Sequence, residues 1–184
     1  YKLMGSGKGN GFNPLPDWST YALLTVWDNI STAESYIENS ELYNQYRERA
    51  TQIRTFYLSN IVSRGVWSGK NPFMSVDYHK QVDDERIAVI TRATIKTSKL
   101  YQFWKYVPHS SRSIDQAGSK PLYSKGIGEI PIIQMATFSI WPDKESLIAF
   151  AHKSEGHQTA IKMTKEIDWY SEELFARFRI IGER

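Results

Sequence analysis

The sequence contains no cysteine, which removes disulfides, iron–sulfur clusters, thiolate-ligated haem and cysteine nucleophiles together. That absence fits a reducing compartment, and a cytoplasmic protein, associated with a membrane only peripherally if at all, is expected. No apolar run approaches the roughly 20 residues of a membrane-spanning helix. Net charge is also small, a formal +3 over 184 residues. Lysines and arginines are interspersed with acids, so no nucleic-acid footprint is read. Histidine is scarce, with four in the chain. His152 and His157 stand too far apart around a helix to share a ligand, and no His-Glu-x-x-His pair exists, so a mononuclear zinc site is not expected. A Gly-x-Ser-x-Gly elbow is missing too.

What the chain does have is aromatic residues, at 14%, and an internal echo. "VWDNISTAESYIENSELYNQYR" from Val26 is answered by "IWPDKESLIAFAHKSEGHQTAIK" from Ile140. Setting Trp27 on Trp141 brings Tyr43 onto His157. The echo extends upstream, where "YALLTVW" matches "MATFSIW" and "KLMGSGKG" resembles "YSKGIGE", all short β-rich runs. Downstream, "TFYLSNIVSRGVW" and "ELFARFRII" both read as strands; in the second, Phe175, Arg177 and Arg179 alternate with Ala176, Phe178 and Ile180, a period of two.

The second half holds an additional strand, "RIAVITRATI", and an additional helix, "SKLYQFWKYV", with Thr97 or Ser98 as N-cap and Pro108 as terminator. Nothing equivalent precedes Tyr1. If the halves are repeats, roughly 40 residues, about one strand and one helix, are absent from the first. The expected organisation is an N-terminal repeat over 1–67, a turn-rich linker over 68–86 and a C-terminal repeat over 87–184. Each complete repeat would run strand, helix, strand, strand, helix, strand. The fold class is therefore α+β: two ferredoxin-like repeats packed as a dimeric α/β-barrel-type fold, the first incomplete at its N-terminus. Their sheets are expected to pack face to face, with helices outside. Ser31 with Glu34 reads as a capping box, and Ser40 and Ser154 as caps of the second helix of each half. Two chains can pair further, although fused repeats do not require it.

Candidate site residues follow from placement. His157 shares a helix face with Ala160, Ile161 and Thr164 and points inward. It reads either as a core histidine or as a neutral imidazole ligating a metal or haem iron. "GSGKGNG" over 5–11 fails the spacing of phosphate-binding loops and reads as a bulged strand edge, although Lys8 could reach an anionic group such as a propionate. Arg92 and Arg112 read as cavity cations or as surface charges. Asp83-Asp84-Glu85 and Glu172-Glu173 read as solvated faces.

Seven segments in one order, "KLMGSGKGNGF", "YALLTVWD", "RGVWSGKNPF", "AVITRATI", "GIGEIP", "QMATFSIW" and "WYSEELFARFRI", resemble the spheroidene monooxygenase family, the acyclic carotenoid 2-ketolases. The resemblance implies a haem-dependent oxygenase (haem b, iron) that acts on an apolar, carotenoid-like substrate. It would use O2 and electrons from reduced ferredoxin or another donor. The family's Ala-His-Arg motif falls on Gly156-His157-Gln158, so only the histidine carries over. The Ser111-Arg112 pair is retained. The architecture also resembles haem-binding dimeric α/β-barrels such as chlorite dismutases, dye-decolourising peroxidases and aldoxime dehydratases, which makes His157 the expected axial ligand. On that reading Arg92 or Arg112 stabilises developing negative charge on oxygen, and Phe138, Trp141 or Trp104 line an apolar mouth. Other haem chemistry on the same scaffold, or a non-enzymatic barrel binding haem or an apolar ligand, is the alternative.

Overall fold

Alternating strands and amphipathic helices in the sequence become a single antiparallel sheet with helices on one side. The computed structural model describes residues 1–9, 13–73, 85–107, 120–153 and 155–184; the side chains of 152, 153, 155–158, 160 and 161 lie outside that description. In chain order the elements are β1 (Lys2–Gly7), β2 (Pro16–Leu24), α1 (Ile30–Asn39), α2 (Glu41–Arg49), β3 (Phe56–Gly65) and β4 (Ile87–Ile95). A 3-10 turn at Thr97–Lys99 then leads into α3 over 100–107, followed by β5 (Tyr123–Ile130), β6 (Gln134–Trp141), α4 (Lys144–Lys153), α5 (Glu155–Ile167) and β7 (Tyr170–Glu183). The seven strands form one sheet in the order β2-β1-β5-β6-β4-β7-β3.

The two halves meet edge to edge rather than face to face as expected. β1 pairs with β5 and β3 pairs with β7, so backbone groups that would be open edges of two separate sheets are satisfied in one. The sheet curls on itself. Phe56 on β3 meets Phe138 on β6 with ring centroids 5.7 Å apart, although two strands lie between them. Met4 of β1 shares one buried cluster with Ala88, Ile90, Ile140, Leu174, Ala176, Phe178 and Ile180. This cluster fills the lumen. The alternation in β7 is as the sequence reads: Leu174, Ala176, Phe178 and Ile180 are buried and Arg179 is exposed.

Helices cover the opposite face in two patches. Under α3 and α5, Ile95, Phe103, Val107 and Trp169 are buried, with Met163 and Ile167 against them. Under α4, Val89, Trp141 and Phe150 form a separate cluster.

Local geometry repeats between the halves. Trp27 tilts against Tyr36 at 5.0 Å and 41°, as Trp141 tilts against Phe150, at the matching position, at 4.9 Å and 38°. Asn29 Oδ1 accepts the Thr32 amide at 2.9 Å, as Asp143 Oδ1 accepts that of Ser146 at 2.6 Å. The N-cap of α1 is thus Asn29 and not Ser31, whose hydroxyl donates to the same Asn29 oxygen at 2.7 Å. Ser40 caps α2 as expected, accepting from the Tyr43 amide; Ser154 lies outside the described residues, as does Pro108. Thr97 and Ser98 lie within the 3-10 turn, which Lys96 precedes with no side-chain cap, its ammonium paired with Asp168 at 2.5 Å; among the described residues no hydrogen bond of their hydroxyls to a helix amide is found. The bulge expected in the glycine-rich run is present between Gly5 and Ser6. Asn29→Ala is expected to cost about 1 kcal/mol in urea denaturation, and Ser31→Ala at most about 0.5 kcal/mol; the reverse order would restore the Ser31 capping box.

Candidate functional site

Strand register decides which side chains share the lumen. Arg92 pairs across the sheet with Ala136 on β6 and Leu174 on β7, so all three face inward, and Phe138, opposite Ile90, does too. Arg92 is 1% exposed. Its Nη1 donates to Glu172 Oε2, Nη2 lies 3.9 Å from Glu129 Oε2, and its guanidinium carbon sits 5.6 Å from the centroid of Trp67. Among the described residues, Nε and Nη2 are buried without a hydrogen-bond partner. Arginine's planar fork suits such a buried pair better than a lysine would.

The carboxylates are themselves anchored. Trp67 Nε1 donates to Glu129 Oε2 at 2.6 Å, and Lys2 Nζ bridges to Oε1 at 2.8 Å. The hairpin turn Trp67-Ser68-Gly69-Lys70 holds positive φ at both central residues, 57° and 80°, the backbone of a type I′ turn. Gly69 supplies one of these without strain. The turn aims the Ser68 and Gly69 amides at the two oxygens of Glu172, at 3.0 and 2.7 Å. The cluster therefore ties β1, β4, β5, β7 and the β3 hairpin around one guanidinium. A second inward pair, Lys125 with Asp17 at 2.9 Å, ties β5 to β2, and the same ammonium reaches the Gly9 carbonyl at 2.9 Å.

Glu172 and Glu129 are the residues sequence reasoning missed. Glu172 was expected on a solvated face, yet it shares parity with the inward Leu174, and Glu129 shares parity with Ile127. That period-two signal was present in the sequence.

The other candidates separate. Trp141, three residues beyond Phe138, stands on the helix side, packed on Phe150 and donating to Ser139 Oγ at 3.0 Å. It and Phe138 therefore line no common mouth. Trp104 is likewise in the helix-side layer and donates to the Ile132 carbonyl at 3.1 Å. Lys8 is exposed in the β1–β2 connection. Arg112 lies outside the described residues. His157 falls in the first turn of α5, and its side chain is outside the description. Its helix packs on the outer face of the sheet through Met163 and Ile167, while Thr164 accepts from Trp169 Nε1 at 3.1 Å. The sheet thus lies between α5 and Arg92. Tyr43, the counterpart of His157, bonds Thr55 Oγ1 at 2.9 Å.

A haem in the lumen does not fit, because apolar side chains and the Arg92 cluster fill it. Residues on the helix side fit better. Between the two helix-side clusters the sheet floor stays open at Thr91 and at Phe175, which is 38% exposed. That floor is flanked by aromatic side chains on the face that α5 covers, and a haem needs only one protein donor.

Partial burial alone would raise both inner carboxyls. Bonds from Lys2 and Trp67 at Glu129, and from the Gly69 and Ser68 amides and Arg92 at Glu172, overcome it and hold both below the ordinary glutamate range. Their contribution to stability is present above that range, near pH 4.3 in an unfolded chain, and is lost as pH falls through the lower folded values. Acid titration of unfolding should therefore show a loss that shrinks in Glu172→Gln. Arg92→Met, which strands two carboxylates, should cost roughly 3–5 kcal/mol; a loss under about 1 kcal/mol would place the cluster among ordinary surface pairs.

No protein-family model matches the chain. Among solved structures, a putative monooxygenase from Fusobacterium nucleatum superposes with a TM-score of 0.49 at 10% identity, covering 86% of this chain and 68% of that one. A putative monooxygenase from Lactobacillus acidophilus gives 0.47 at 10% identity, covering 99% and 78%. Among curated proteins, the spheroidene monooxygenase of Rhodobacter capsulatus is 37% identical over 182 residues, 99% of this chain and 75% of that protein. Those of Cereibacter sphaeroides and Rubrivivax gelatinosus are 39% and 31% identical, and the chain spans 56% and 66% of their lengths. Identity of this extent, running through both halves of the sheet, makes the chain a member of the spheroidene monooxygenase family.

Proposed function

We propose that the protein is a monooxygenase acting on an acyclic, carotenoid-like apolar substrate. The observation that carries this reading is the 37% identity over 99% of the chain to a spheroidene monooxygenase. One oxygen atom of O2 enters the substrate and the other leaves as water, consuming two electrons and two protons. A reduced ferredoxin or an equivalent donor supplies the electrons.

Haem, held by a neutral His157 imidazole, is the proposed cofactor; when bound it supplies the activation of O2. The chemistry of the donor set supports this, since α5, which packs on the aromatic side of the sheet, contains one histidine. Thr91 and Phe175 would form the floor against which the group and an apolar substrate lie. Phe103, Trp104 and Trp169 at one flank, and Trp141 with Phe150 at the other, would exclude water. Arg92 holds the lumen closed in this reading, and Arg112 remains the candidate cation near oxygen.

Incubation with an acyclic carotenoid, a reductant and 18O2 should give a product carrying 18O; unchanged substrate would overturn the activity. Separately, protein reconstituted with haem should show a Soret band that His157→Ala weakens or shifts. A band identical in the variant would remove His157 as ligand while leaving the oxygenation test standing.

A further inference from the structure

Comparison of the halves identifies a slot in the sheet. In residues 87–184 the strand order is β5-β6-β4-β7, with β4 hydrogen-bonded between β6 and β7. By the sequence echo and the repeated aromatic and cap geometry, β1, β2 and β3 correspond to β5, β6 and β7. The counterpart of β4 would therefore lie between β2 and β3. Among the described residues these are the two strands that end the sheet. They are nine and ten residues long, and unpaired edges of that length are a liability in an isolated domain.

Side chains report the same interval. Met135 of β6 packs beneath α3, the helix that follows β4. Its counterpart on β2, Tyr21, is 57% exposed, and its neighbour Trp18 is 77% exposed. Inside, Ala22 and Leu24 of β2 and Phe56 and Leu58 of β3 already pack on the shared lumen cluster, so an inserted strand would find an apolar lining on both flanks. The relatives have material to spare, since the chain spans 75% of the Rhodobacter capsulatus protein and 56% of the Cereibacter sphaeroides one.

We propose that β2 and β3 form a docking slot for one strand–helix unit of the plan of β4 and α3. Its strand pairs with both edges and closes the seven strands into an eight-stranded barrel, and its helix covers Tyr21. Main-chain hydrogen bonds would supply affinity and the alternating apolar side chains register, the mode of β-strand addition. The inference rests on the internal repeat and is independent of the proposed oxygenation.

The test uses this chain together with the part of the Rhodobacter capsulatus relative that lies outside the match, expressed as a separate tagged fragment. The fragment should co-purify with the chain and slow amide exchange by about tenfold or more across Pro16–Leu24 and Phe56–Gly65. Of adjacent residues in an antiparallel edge strand, one turns its N–H toward β1 and the other toward the open side. Ala22→Pro and Leu23→Pro should therefore include one variant that keeps its far-UV spectrum and loses the fragment. Failure of the fragment to bind, binding without slowed exchange at both edges, or unimpaired binding by both folded variants would overturn the proposal. So would slow exchange at β2 and β3 in the chain alone, whether the edges pair with each other or with a second copy.

Discussion

Burial of the Arg92 guanidinium between two carboxylates and an indole face is the constraint around which the sheet is curled. A cation withdrawn from water costs several kcal/mol unless partners surround it. Here the partners come from both sides of β4: Glu172 from the adjacent β7, Glu129 from β5 beyond β6, and Trp67 from the hairpin after β3. Satisfying the charge brings those elements together, and the apolar cluster from Met4 to Ile180 fills the space they enclose. The Ser68-Gly69 turn and Lys2 then fix the carboxylates, so the network extends to backbone amides and to β1.

That closure divides the molecule into two chemical environments. The lumen is packed and ion-paired. The helix side carries two aromatic clusters with open sheet floor between them, and α5 packs on that side through Met163 and Ile167. The proposed ligand His157 on α5 and the cation on the inward face of β4 are therefore not one site, although both read as cavity residues along the chain. The echo between Tyr43 and His157 is answered in part by this division. Tyr43 turns its hydroxyl to Thr55 and serves as packing, whereas His157 lies in the first turn of the helix that packs on the aromatic layer.

Much of the fold was legible because period-two patterns report directly on burial. The strand ending "ELFARFRII" alternates in the structure as it does in the sequence, and the repeated Trp and Asn/Asp positions reappear as matched ring pairs and caps. Edge-to-edge joining was not legible, since alternation says which residues face inward but not whether the covering strand lies beside or across the sheet. The Glu172 placement was available from parity and was overridden by the usual solvation of glutamate. Asn29 and not Ser31 is the cap because the helix starts at Ile30, which puts Ser31 inside the first turn and the Thr32 amide three residues after Asn29. Arg112 and the side chain of His157 fall outside the described residues, so for those two the sequence expectation stands as a proposal.

Family membership and the division of the sheet into two faces underlie one proposal about place: the proposed chemistry belongs to the helix side and the lumen is structural. A crystal structure of the protein grown with haem tests it most directly. The account predicts porphyrin density against Thr91 and Phe175, on the side of α5, with Arg92 still paired to Glu172. Density inside the lumen, with the Arg92 cluster opened to admit it, would contradict the account.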